Sequence, residues 1–252
     1  MAFILDAHIH LSDPLYAEHI DLIVNSMEST GIKACAVSMD NKSSQMTLKL
    51  AEKSKNILPF VGIHPEKASD DLDTMVSLIN KNSQISGIGE IGLDRSYCSD
   101  DDQFKRQVTV FKKLLEQAET LRKPVSVHSR KTLDDIFEII PSYNISGFLL
   151  HWFDGSKKQL KQAMDLGCYV SYGPVMVYSQ DKQVLASLSN RDRILVETDG
   201  PVKFSHCFGR KEAQITFIPS VVFALAKLLE QSYDETVSML QNNSERYLGL
   251  TR

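Results

Sequence analysis

Short apolar runs alternate with amphipathic stretches from one end of the chain to the other, and this alternation restricts the folds open to it. Runs rich in aliphatic residues predict strands over 3–8, 34–39, 57–62, 85–91, 125–128, 147–151, 168–172 and 194–197. Helical spacing between them predicts helices over 16–30, 43–56, 71–82, 101–121, 132–140, 156–166, 180–188 and 213–230, with one more over 234–240. In the longest, Phe104, Val108, Phe111, Leu115 and Ala118 recur at helical spacing. Acids open that helix and Arg122 and Lys123 close it, as the helix dipole favours. Starts also follow Ser69-Asp70 and Asp154-Gly155-Ser156, good capping residues. Strict strand–helix alternation argues parallel strands joined by crossover helices. Eight such units predict an α/β fold: a slightly distorted TIM (β/α)8 barrel with an extra C-terminal helix, one domain over residues 1–252. A doubly wound open sheet needs fewer units and a glycine-rich first turn, which is absent.

Barrels of this kind carry their chemistry at the C-terminal ends of the strands. The first predicted strand runs into His8 and His10, which share a face because residues i and i+2 of a strand point the same way. The third leads to His64 in "GIHP", the fourth to Glu90 and Asp94 in "GEIGLD", and the fifth to His128 in "VSVHSR". The sixth leads to His151 in "FLLHWFDG" and the eighth to Asp199 in "LVETDGP". Five of seven histidines stand where a strand runs out; His19, in a polar helix, and His206, in a late loop, do not. Any one of these residues alone reads as an ordinary rim or turn residue. Their joint placement at the ends of strands one, four, five, six and eight does not arise from packing.

Four histidines, a glutamate and an aspartate are too many ligands for one zinc, which takes about four. They suit two divalent cations bridged by a carboxylate, spaced about 3.5–4 Å. His8, His10 and Asp199 would serve the first, and His128 and His151 the second, with Glu90 as the bridge. Mixed nitrogen and oxygen donors fit Zn, Mn, Fe or Co, with Mg less at home on imidazole.

The ordered motifs "DAHIH", "GIHP", "GEIGLD", "VSVHSR", "HWFDG" and "ETDGP" resemble those of the TatD family of metal-dependent deoxyribonucleases, across nearly the whole chain. The resemblance implies a TIM barrel, two metals and hydrolysis of DNA phosphodiesters by metal-activated water, in several members as a 3′→5′ exonuclease. By motif match it carries the ligands over to His8, His10, Glu90, His128, His151 and Asp199. It makes Asp199 the general base, with Glu90 as the other catalytic carboxylate, and has His64 contact substrate phosphate. Arg130 is expected to make a second phosphate contact, because guanidinium matches phosphate oxygens. Two departures bear on substrate. Family members commonly have a small residue after His151, where this chain has Trp152, and the loop "GPVKFSHCFGRKEA" after Asp199 is shorter and lacks further prolines.

Other readings are narrower. A two-metal amidohydrolase acting on a small amide, lactone or phosphoester often bridges its metals with a carbamylated lysine, where this chain has Glu90. A non-catalytic metal-binding scaffold has no need of six convergent ligands. Net charge is -4, so DNA would be held by a local patch rather than by global charge. Arg95, Arg130, Lys131, Lys157, Lys158, Lys203, Arg210 and Lys211 fall in loops on the site's face, opposed by Asp100-Asp101-Asp102. Trp152 and Phe153 are candidates to stack a base or to pack under the barrel mouth; His206 and Cys207 are expected bystanders. No apolar run reaches eighteen residues, the N-terminus does not read as a signal peptide, and four scattered cysteines suit free thiols. A cytoplasmic location without membrane or obligate protein partner is the expectation.

Overall fold

A computed structural model describes residues 3–250, so the outermost residues of the expected 1–252 domain lie outside the described residues. Eight parallel strands close into a barrel in chain order. They are β1 (Ile4–Ile9), β2 (Ile32–Ala36), β3 (Ile57–Val61), β4 (Gly87–Gly92), β5 (Val125–His128), β6 (Phe148–Leu150), β7 (Tyr169–Tyr172) and β8 (Ile194–Val196). The helices that follow them are α1 (Ile20–Thr30), α2 (Asn41–Ala51), α3 (Leu72–Lys81), α4 (Asp101–Leu121), α5 (Leu133–Ile139), α6 (Lys157–Asp165), α7 (Gln180–Leu188) and α8 (Ile218–Leu228). A further helix, α9 (Tyr233–Tyr247), ends the described chain.

Local chemistry moves several boundaries from their expected places. α1 begins at Ile20, because Asp13 caps a short 3-10 turn over Pro14–Tyr16 instead. α2 starts two residues early: the Asp40 carboxylate accepts from Ser43 N–H while Ser43 Oγ accepts from Asp40 N–H, a closed capping box. Asp71, not Asp70, caps α3. α8 waits until Ile218, after a 3-10 turn, with Pro219 in its first turn where a missing N–H costs nothing. Expected only to residue 240, α9 runs to Tyr247. Its second half is polar, yet Asn243 is buried and donates from Nδ2 to the carbonyls of Arg191 and Ile194 at 2.7 and 2.8 Å.

Two layers of apolar packing hold the barrel. The larger lies between strands and helices. The smaller fills the interior with Leu5, Ala7, Cys35, Val37, Phe60, Leu149, Tyr169 and Leu195, and Tyr247 of α9 joins it. The Tyr247 ring packs against Phe60 and Tyr169 with centroids 6.3 and 5.5 Å away. Its hydroxyl donates to the Val125 carbonyl at 3.2 Å. Thus the extra helix belongs to the barrel core.

The distortion of the barrel is local, at two irregularities of strand pairing. Pairing of β1 shifts register between Asp6 and Ile9, and pairing of β4 shifts between Ile88 and Ile91. Each irregularity reverses the in–out alternation. Leu5 and Ala7 belong to the interior layer, whereas Ile9 belongs to the outer one. Ile88 and Ile91, three apart, both belong to the outer layer. His8 and Glu90 are the residues these two bulges re-aim, the use to which bulges near sites are commonly put. Gly92 follows at φ 143°, where a Cβ would stand 2.1 Å from the His128 carbonyl oxygen, so only glycine lets β4 and β5 approach there.

Because Tyr247 fills the interior, Tyr247→Ala is expected to destabilise the fold by about 3–5 kcal/mol. Chemical denaturation with a circular dichroism readout measures this; a loss below about 1 kcal/mol would contradict the role given to α9.

Candidate metal centre

The residues singled out from the sequence meet at one end of the barrel, around the carboxylate of Glu90, which is 2% exposed. Its Oε1 lies 2.8 Å from His128 Nδ1, 2.8 Å from His151 Nε2 and 3.5 Å from His64 Nε2. Its Oε2 lies 3.5 Å from His8 Nε2 and 3.4 Å from His10 Nε2. Asp199 Oδ1 stands 3.6 Å from both of the latter nitrogens. Three sets, His8–His151–Asp199, His8–His10–Glu90 and His64–Glu90–His128, each bring their donor atoms within 4.8 Å of one another.

This donor set fits divalent cations better than protons. His8 Nε2 and His10 Nε2 are 3.3 Å apart and both face the same two carboxylates. A single shared proton satisfies one such contact, whereas a cation satisfies several. The His8 and His151 rings stack at 3.7 Å and 9°, a pairing two imidazolium cations would oppose. His151 Nδ1 is buried without a hydrogen-bond partner.

Protonation states follow from the surroundings. Burial and the neighbouring His151 lower the His8 pKa to about 4, so its ring is neutral at pH 7. Its Nδ1 meets Ser126 Oγ at 2.8 Å, which leaves Nε2 free as a donor of a lone pair. Burial works against the His128 cation, but hydrogen bonds to Asp94 and Glu90 outweigh it and lift the pKa to about 9. A metal would have to displace the Nδ1 proton while Nε2–H kept its 2.8 Å bond to Asp94 Oδ2. Burial would raise the Glu90 pKa, but His64, His151 and His8 hold it well below the carboxylate range. Burial likewise opposes ionisation of Asp199, and His10 and His8 overcome it.

His64 has a different character. Its Nδ1 accepts from Glu66 N–H at 3.2 Å, and burial lowers its pKa to about 4. The neutral ring therefore carries its proton on Nε2, the atom that faces Glu90 and the cavity. That tautomer makes it a hydrogen-bond donor, although it lies close enough to Glu90 and His128 to count with them as a possible ligand.

The cluster opens into a cavity of about 840 Å³ whose wall includes Arg130, Lys131, Tyr97, Trp152, Asp199 and Val202. Of the expected basic rim, Arg95 and Lys203 are paired, with Asp135 at 2.9 Å and Glu212 at 2.8 Å. Of the three aspartates besides Asp199 on the cavity wall, Asp135 and Asp154 are answered by Arg95 and Lys182, whereas Asp134 accepts a hydrogen bond from Gln159 Nε2 instead. Arg130 and Lys131 are exposed, line the cavity and have no acidic partner among the described residues. Phe153 is fully buried and packs, while Trp152 is only partly buried. His206 lies against Tyr178 at 4.3 Å, away from the cavity wall. Lys131, Trp152 and Asp199 hold positive φ, at 59°, 43° and 49°, as do Arg122, His206, Arg210 and Glu230 at 53–56° outside the cavity wall.

No sequence pattern assigns the supporting residues a role. Asp94 stood out as a strand-end acid, but its service to His128 did not show. Glu197, fully buried with a pKa pushed up to about 7 by burial, accepts from Trp152 N–H at 2.8 Å and bonds Ser171 Oγ. Asp6, also fully buried, accepts from His8 N–H, Thr198 N–H and the Thr198 hydroxyl and so ties β1 to β8. Their only sequence signal is an acid in an otherwise apolar run, which gives no partner. Since Asp94 orients His128, Asp94→Ala is expected to weaken binding of Zn²⁺ or Mn²⁺ about 10–100-fold. Titration calorimetry on chelator-stripped protein checks this, and unchanged affinity would remove Asp94 from the site.

Comparison with known proteins identifies the family and the fold. The family model for TatD related DNase matches residues 5–249. The chain is 25% identical to the uncharacterized metal-dependent hydrolase YabD of Bacillus subtilis over 252 residues, covering 96% of this chain and 98% of that protein. It is 27% identical to the human deoxyribonuclease TATDN3 over 213 residues, 79% of this chain and 78% of that one. In fold it matches the crystal structure of YJJV, the TatD homolog from Escherichia coli, with a TM-score of 0.88 at 23% identity, covering 97% of each chain. With the match running almost from end to end, this chain belongs to the TatD-related DNase family of metal-dependent hydrolases.

Proposed function

We propose that the chain hydrolyses phosphodiester bonds of DNA and removes nucleotides from the 3′ end of single strands, with two divalent cations at the Glu90 cluster. The observation that carries this reading is the convergence of four histidines and two carboxylates from five strand ends on one buried point, beneath a cavity with two cations that have no acidic partner among the described residues. His8, His10 and Asp199 would hold one cation, His128 and His151 the other, and Glu90 both. Bound there, Zn, Mn, Mg, Fe or Co would supply positive charge to the phosphate oxygens and acidify water.

The chain's own residues supply the rest. Asp199 is kept ionised and reaches the cavity wall, so its free oxygen can orient an attacking water and take its proton. His64, with its proton on Nε2, donates to a phosphate oxygen without adding a charge that would repel bound cations. Arg130 and Lys131 sit farther out on the same wall, where they attract the strand and hold the adjoining phosphate. The name of the human relative, a deoxyribonuclease, supports DNA as substrate. Among the described residues no single helix is long and apolar enough to cross a membrane.

Incubation with 5′-labelled single-stranded DNA and Mg²⁺ or Mn²⁺ is expected to give a ladder that shortens from the 3′ end and disappears with chelator. Glu90→Ala is expected to lower the rate by about 1,000-fold or more, since it removes the residue shared by both cations. Intact DNA after incubation with demonstrably metal-loaded protein would rule the exonuclease out. Asp199→Asn separates proton transfer from binding: kcat is expected to fall by about 100-fold or more while some metal is retained. Unchanged kcat would assign the base elsewhere.

A further inference from the structure

We infer that Trp152 is a stacking platform for the base beside the scissile phosphate, and that it makes an unpaired terminal nucleotide the preferred substrate; this rests on the phosphodiesterase reading above. Trp152 follows His151 directly in the chain and is among the residues that line the cavity. It is held from two sides. Its backbone N–H donates to Glu197 Oε1 at 2.8 Å and to Ser171 Oγ at 3.2 Å, which fixes a residue at φ 43° where bulky side chains are disfavoured. Its ring is backed by Phe204 of the loop after β8, at 5.4 Å and 30°. Phe204 in turn meets Phe208 at 6.3 Å, and Phe208 stacks on Phe217 at 4.7 Å. The 2.8 Å Lys203–Glu212 ion pair and the bridge between the same two residues close that loop. The result is a braced aromatic column with one end at the cavity.

Unlike its neighbour Phe153, which is fully buried, Trp152 is only partly buried: it packs against the Phe204–Phe208 cluster and also lines the cavity. A rigid aromatic loses little entropy on binding and offers a face that every base can use. The same cavity is lined by Arg130 and Lys131, which have no acidic partner among the described residues, and by three aspartates besides Asp199, of which Asp135 and Asp154 are neutralised by ion pairs, so one wall suits a π-face and another a phosphate. A nucleotide carries both, and about 840 Å³ lies within the ~300–1,000 Å³ typical of small-molecule sites. In a duplex the base is already stacked and paired, so the platform rewards a frayed or single-stranded end.

The chain contains one tryptophan, so indole emission reports this residue alone. Wild-type protein with Mg²⁺ is titrated with dAMP and, separately, with 2-deoxyribose 5-phosphate. Saturable quenching by dAMP but not by the baseless sugar is expected. In parallel, KM and kcat are compared for a normal oligonucleotide and one with abasic residues at its 3′ end. Trp152→Ala is expected to raise KM about 10–100-fold for the normal strand only, with kcat nearly unchanged and Trp152→Phe in between. DNA hydrolysis without dAMP quenching, or an equal KM change on both strands, overturns the platform and leaves the nuclease. Quenching by dAMP with neither strand hydrolysed keeps the platform and overturns the phosphodiesterase reading.

Discussion

Burying the Glu90 carboxylate is the constraint to which the rest of the active end answers. An ionised carboxylate moved out of water costs several kcal/mol unless charge and hydrogen bonds replace the solvent. Here five imidazoles stand within 3.5 Å of its two oxygens, and they come from residues 8, 10, 64, 128 and 151. No single hairpin or helix could supply them. Only a closed parallel barrel delivers so many strand ends to one small region, and that closure requires an interior filled from below by Tyr169, Leu195 and Tyr247.

The two bulges connect the packing to the chemistry. A strand with unbroken alternation that points Leu5 and Ala7 inward would point His8 away from the axis. The register shift in β1 lets apolar residues fill the lower interior and His8 enter the upper one. β4 repeats the device for Glu90. Around them three supports set ring nitrogens: the buried Ser126 for His8, the buried Asp94 for His128, and the backbone N–H of Glu66 for His64. In these three rings the donor atoms point inward because their opposite sides are already occupied.

Much of this was legible in the chain. Alternation of apolar runs and helical stretches was enough for the eight units, and strand-end position was enough to choose six polar residues that meet in space. Helix ends were less legible, because a capping box such as Asp40–Ser43 depends on which of several polar residues turns its side chain back. The second half of α9 was illegible for a related reason. Polar residues there are buried through hydrogen bonds to carbonyls of residues 191 and 194, about fifty positions away.

The sequence by itself determined the class of fold and the chemistry on offer, since periodicity and residue type are local properties written along the chain. Tertiary structure alone decided which nitrogen of each histidine faces Glu90, that His64 keeps its proton on Nε2, and that Trp152 stands at the cavity while Phe153 is buried. It also decided which cations of the expected rim serve the cavity: Arg95 and Lys203 are held in ion pairs, while Arg130 and Lys131 line the cavity with no acidic partner among the described residues. These are matters of distance between residues far apart in the chain, and no local pattern encodes such distances.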